Sequence, residues 1–449
     1  MGAKEDAMNT TGTMDWYAWA EQQSDPAWAA EKREALDDLL VLDASYGSFG
    51  GLVASSILSE LGARVIRIEP PGGDIARRYS PFGLEHGDTG LAYLVEGRNK
   101  HHITLDLEDE EGQELFRKLV VHADVVIETF EPGFLDELGI SYRQLREANP
   151  RLIYAALHTY GQFGPKARQG RQASEIANQA YSGLVYINGE PADDEPSVHA
   201  VPTKTGSWYG WYAEGLFAAY GILSALIYRQ QSGKGQMVDV SGAECIMKFI
   251  DYNMGWYHMG GGVKERLGNY DPSVFPYTFI RCKDGYTFMA AYNEEAFATL
   301  MEIIGRPELT RDPRFSTFMQ RTSLESEEAL QRILEEWSTQ YTVEEVIEKV
   351  QEATSRKEGR AAAVVTGKVC RPPETFEEQN WWDRGIFRKV QDPVYGELAM
   401  QGPLWKMTGT PPRIKWACRP VGADNEAVYC RLLGLGASEL EMLRARGTI

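Results

Sequence analysis

The chain has little of what several common chemistries need. Its 449 residues include five cysteines and seven histidines. The cysteines, Cys245, Cys282, Cys370, Cys418 and Cys430, form no CxxC pair and have no histidine at metal-ligand spacing. That argues against a metal site or a disulfide framework, and reduced structural thiols suit the cytoplasm. No apolar run is long enough to span a bilayer, and the N-terminal stretch has no uninterrupted apolar h-region, so a soluble, cytoplasmic protein is expected. Positive charge is in deficit: 46 Lys and Arg against 65 Asp and Glu give a formal charge of -19. Such a field repels phosphodiester backbones, which disfavours nucleic-acid binding and obliges any polyanionic ligand to find a local basic patch. A dinucleotide fingerprint is missing as well, because the first glycine turn reads Gly47-x-x-Gly50-Gly51 instead of GxGxxG.

What is present is a chain long enough for two domains. Residues 1–40 read as a polar N-terminal extension carrying Trp16, Trp19 and Trp28 at helical spacing. From Leu39 a short apolar run, a glycine turn, a helical pattern through Leu61 and a second run, Val65-Ile66-Arg67-Ile68, make a β-α-β unit. A helix opening on acids near Glu108-Asp109, the run Val125-Val126-Ile127, another helix ending near Asn149-Pro150, and Ile153-Tyr154-Ala155-Ala156-Leu157 continue the alternation. Strands alternating with helices argue for a parallel sheet covered on both faces. The reading is α/β: a Rossmann-like, doubly wound large domain over residues 41–250, a linker and smaller α+β domain over 251–370, and a return to the large domain over 371–449.

Several segments, in order, carry a family resemblance. They are Val41-Leu42-Asp43, Leu61-Gly62-Ala63, Glu69-Pro70-Pro71-Gly72-Gly73-Asp74, Arg98-Asn99-Lys100, Ala123-Asp124-Val125-Val126-Ile127-Glu128, Pro132-Gly133, Asn149-Pro150-Arg151-Leu152, Gly161-Gln162-Phe163-Gly164-Pro165, Gly221-Ile222-Leu223 and Gly233-Lys234-Gly235-Gln236. Together they resemble a family III CoA-transferase, the group of formyl-CoA transferase, carnitine CoA-transferase and the α-methylacyl-CoA racemases. The resemblance implies an interlocked dimer with the CoA site between the large domain of one chain and the small domain of the other. It also implies an aspartate nucleophile that carries the acyl group and then CoA, with no tightly bound cofactor, no metal, and acyl-CoA as substrate.

That aspartate is missing. Anchored on Gly215 and Gly221, the position falls on Trp211; anchored on Val201-Pro202 and Gly206, it falls on Thr203 or Lys204. Neither register supplies a carboxylate, and an indole is no nucleophile. Glu214, Asp193 and Asp194 are the nearby acids that could substitute. Glu175 matches an acid that supports the site in the family and reads as a buried, hydrogen-bonded structural residue. Racemase chemistry is disfavoured, because Ser174 and Trp211 stand where its acid and base would be. Ser48, Phe49, Leu105, Asp106, Thr129 and His158 match cofactor-lining positions, whereas Glu137 stands where an arginine often meets a CoA phosphate.

These features imply a non-catalytic subunit of a heteromeric transferase, paired with a homologous catalytic subunit. It would move CoA from an acyl-CoA such as succinyl-CoA to an organic acid, with the benzylsuccinate transferases as the nearest kind. The alternatives are an active homodimer with a displaced carboxylate nucleophile and a non-enzymatic binding or scaffold protein.

Overall fold

The computed structural model describes residues 15–24, 30–87, 89–191, 201–357 and 361–449; Trp28, Asp193 and Asp194 lie outside them. The chain divides into two compact units. Unit 1 comprises residues up to Val185, Lys204–Gly262 and Gln379–Ile449, and unit 2 comprises Tyr186–Thr203 and Val263–Glu378. The described residues 186–191 and 201–203, read from sequence as part of the large domain, thus cluster with the small one.

Unit 1 is built on six strands: β1 (Leu40–Asp43), β2 (Arg64–Glu69), β3 (Lys100–Thr104), β4 (Val125–Glu128), β5 (Ile153–His158) and β6 (Met237–Ser241). All five pairings are parallel, in the order β3-β2-β1-β4-β5-β6. This is the doubly wound Rossmann order, whose direction reverses between β1 and β4. The apolar runs form these strands because both sheet faces are covered. Leu42, Ile66 and Val126 face a core that includes Phe116, Leu119 and Tyr429, whereas Val41, Val65 and Val125 face one that includes Leu58, Ala218 and Ile222.

Helix α1 (Trp16–Ser24) belongs to the extension. Helix α2 (Phe49–Glu60) is capped by Ser48, whose Oγ accepts the Gly50 N–H at 3.1 Å. Asp109 caps α3 (Glu110–His122) in the same way. Helix α4 (Glu175–Ser182) precedes α5 (Tyr209–Ser232), which stops where Gly233 takes φ +73°. The C-terminal segment docks back on β3, where the Tyr429 hydroxyl donates to the Thr104 carbonyl at 2.7 Å.

Unit 2 holds an antiparallel sheet of β7 (Tyr277–Arg281), β8 (Tyr286–Ala290) and β9 (Val365–Lys368), in the order β9-β8-β7. Its core includes Ile280 and Met289 from the sheet together with Leu300, Leu330, Leu334 and Val346 from helices.

Candidate functional site

In a doubly wound sheet the crevice at the carboxyl ends of the strands, where the strand order reverses, is the natural ligand site. Here the residues following β1, β4 and β5 line a hollow of about 260 Å³ that includes Tyr46, Gly47, Ser48, Thr129, Glu131, His158, Trp211 and Glu214. A second hollow, about 210 Å³, shares Tyr46 and Phe130 with it and is lined by Leu105, Asp106 and Glu108 among others. Neither lining contains Lys or Arg among the described residues.

A buried ion network fixes the floor of the crevice. Arg67 Nη1 donates to Asp43 Oδ1 at 2.7 Å and its other terminal nitrogen to Asp74; the Lys100 ammonium lies 3.6 Å from Asp43. Burial alone would raise the Asp43 pKa, but Arg67, Lys100 and the hydroxyls of Ser45 and Ser55 bring it to about 2. Asp74 then accepts the Gly47 N–H at 3.0 Å, which fixes the turn leading into α2. Gly47 holds φ +64° there, a conformation that favours glycine.

Helix α5 presents two residues to the hollow, one turn apart. Trp211 is half-buried, its ring 6.0 Å from Tyr79 at an interplanar angle of 8°, 5.9 Å from Phe49 and 5.9 Å from Trp208. Stacking of this kind fixes the indole as part of the wall. Glu214 is 2 % exposed, and its carboxyl lies against the α2 backbone: a Cβ on Gly50 would be 2.5 Å from Glu214 Oε2. Burial raises its pKa to about 8, against a smaller lowering by the Asn178 amide. At neutral pH Glu214 is therefore an uncharged acid.

A second acid of the hollow has a hydrogen-bond donor beside it. His158, fully buried at the end of β5, accepts the Tyr160 N–H on Nδ1 at 3.3 Å and places Nε2 3.1 Å from Glu131 Oε2. With Nδ1 occupied as an acceptor, Nε2 carries the proton and donates it to Glu131. Glu175, buried at the start of α4, accepts the Gly210 N–H at 3.1 Å. It satisfies one of the unpaired donors in the first turn of α5 and so positions Trp211 and Glu214.

The fold thus brings Ser48, Thr129, His158, Trp211 and Glu214 together and places Leu105 and Asp106 in the adjoining hollow. Phe49 lines neither: it is fully buried beneath Trp208 and Trp211. Thr203 and Lys204 line neither hollow, and the Lys204 ammonium lies 3.9 Å from Glu175. Glu137 is exposed and lines neither hollow. Glu131 escaped the sequence reading although it opens the conspicuous Glu131-Pro132-Gly133 turn. No group of three or more His, Cys, Asp or Glu able to hold a metal occurs among the described residues, and none of their helices is long and apolar enough to cross a membrane.

The strand order defines a doubly wound α/β protein with a crevice at its switch point. The chain belongs to CoA-transferase family III, which it matches over residues 36–425. It is similar to succinyl-CoA–D-citramalate CoA-transferase of Chloroflexus aurantiacus, 34% identical over 417 residues that cover 92% of this chain and 98% of that protein. The succinyl-CoA–L-malate CoA-transferase alpha subunit of the same species is likewise 34% identical over 417 residues, 92% of each chain. Among solved structures, a CaiB/BaiF family protein from Brucella suis superposes with a TM-score of 0.75 at 28% identity, covering 89% of this chain and all of that one. The chain is thus a member of an enzyme family whose substrates are CoA thioesters.

Proposed function

We propose that the chain is the nucleophile-free subunit of a two-subunit CoA-transferase. The complex moves CoA from an acyl-CoA such as succinyl-CoA to an organic acid, and the acceptor we favour is an aromatic dicarboxylate such as benzylsuccinate. The observation that carries this reading is Trp211, stacked into the wall where acyl transfer requires a carboxylate. Two further features support it. Glu214 is protonated at neutral pH and fenced in by Gly50, so it is a poor nucleophile. The described linings of the hollows also offer acids and neither Lys nor Arg to the phosphates of CoA. One similar protein is itself named as an alpha subunit.

The test is to incubate the chain with succinyl-CoA, trap any enzyme-bound thioester with hydroxylamine or borohydride, and map the adduct by mass spectrometry. The chain alone should carry none. On mixing with a homologous subunit that has Asp at the position of Trp211, transfer should appear and the adduct should map to that subunit. One observation favours a second reading, a displaced nucleophile, because Glu214 does line the hollow. An adduct on Glu214 would establish that reading and remove the first.

A further inference from the structure

Unit 2 carries a cavity of about 430 Å³, larger than either hollow of the crevice and lined differently. Its floor is the outer face of the β7–β8–β9 sheet. The antiparallel register sets Phe279 opposite Phe288 and Tyr277 opposite Ala290, while the alternate residues Ile280 and Met289 face the core. An antiparallel sheet with one face on helices normally turns polar residues to the other. Here that face shows Tyr277 and Phe279, 47 % and 46 % exposed, beside Phe288.

The hollow has identifiable causes. Ala290, opposite Tyr277, leaves space that a larger residue would fill. Gly367 on β9 lies opposite Phe288, and a Cβ there would come within 2.5 Å of Phe288 Cε1, so the ring lies flat over the β9 backbone. Tyr270 and Tyr292 also line the cavity, and the Tyr277 and Tyr292 centroids are 5.9 Å apart. The segment 268–271 completes the lining, and Asp271 is its one charged side chain.

We propose that this cavity binds the aryl ring of the acceptor acid; the inference rests on the reading above of an aromatic dicarboxylate as acceptor. Aromatic walls at these spacings favour offset or edge-on contact with a planar ring, and the volume is that of a small-ligand site. Asp271 sets the orientation: it repels carboxylates, so the ring enters and the acid groups stay in solvent. The concave aromatic lining thus favours the planar ring of the acceptor over its acid groups.

Saturation-transfer NMR and calorimetry on the full chain test this, with benzylsuccinate, succinate and adenosine 3′,5′-bisphosphate as probes. Benzylsuccinate should bind with its strongest saturation on the ring protons, and succinate should not bind. Tyr277→Ala and Tyr292→Ala remove half-exposed rings, so the melting temperature should hold while affinity falls roughly three- to tenfold. Gly367→Ala, which tilts Phe288 into the hollow, should weaken binding without deleting a ring. Unchanged benzylsuccinate binding in all three variants, or a response to them by the bisphosphate alone, overturns the inference. Because the measurement needs no transfer, its failure is separable from failure of the subunit reading. An adduct on this chain removes that reading and leaves ring binding intact, whereas an adduct on the partner with variant-insensitive ring binding removes this inference alone.

Discussion

At the scale of single residues, the crevice separates two acids by environment. Glu131 has a hydrogen-bond donor in His158 and reaches solvent, whereas Glu214 is buried with the Asn178 amide alone to favour its charged form. The folded state therefore holds the Glu214 proton to about pH 8, against an ordinary value of 4.5. Between those pH values the folded state binds more protons than the unfolded one, so this group's contribution to stability falls as pH rises, by at most about 1.4 kcal/mol per pH unit. Below 4.5 and above 8 it adds no slope. Glu214→Gln replaces a neutral acid with a neutral amide of the same shape. Thermal melts at pH 5 and pH 8 should show the variant gaining on the parent as pH rises; an equal difference at both would mean that Glu214 is ionised when folded. That Trp211 and Glu214 lie one turn apart was legible in the sequence, because both stand just before Gly215 on one apolar helical run. The His158–Glu131 pair was not, since it joins strand ends 27 residues apart and depends on β4 and β5 lying side by side.

Between elements, the decisive contact is the crossing of α2 and α5. A Cβ on Gly215 would stand 2.6 Å from the Gly50 carbonyl and 2.7 Å from Val53 Cβ, so the two backbones touch only because Gly50 and Gly215 have no side chains. That approach carries Glu214 to the start of α2 and Trp211 to Phe49. Gly215 has helical φ, so Gly215→Ala removes a conformational liability in the helix and adds a clash; the clash should win, because both neighbours are core backbone or branched side chain. We expect a net loss of about 1–3 kcal/mol in urea titrations. A neutral or stabilising result would show that the helices separate at little cost. The strands themselves were readable from sequence, since burial on both faces leaves uninterrupted runs such as Ile153-Tyr154-Ala155-Ala156-Leu157. Their alternation with helices indicated a parallel sheet. The small unit was harder to delimit, because the described residues 186–191 and 201–203 join it from well upstream of Val263, and no local pattern announces such a crossing.

For the whole molecule, the exposed face of α5 matters most. Tyr212, Leu216, Tyr220 and Ile227 are all exposed, at spacings of four, four and seven residues that place them along one side of the helix, while Ala218, Ile222 and Ala225 bury the other. A helix apolar on both sides, with one side exposed, offers a surface that another chain can cover. The formal charge of -19 opposes self-association, so two copies of this chain would meet through apolar contact against mutual repulsion. Salt screens that repulsion over roughly 8–10 Å near physiological ionic strength. Sedimentation velocity should therefore show this chain associating more strongly at 0.5 M than at 0.05 M NaCl, both on the order of the conditions where screening changes. Leu216→Glu and Tyr220→Glu place charges on the exposed stripe without touching the buried one, and each should lower association at both salt concentrations while leaving the melting temperature of the monomer unchanged. A less acidic homologous subunit should bind this face with a weaker salt dependence than a second copy does. If neither variant alters association, α5 is not the contact.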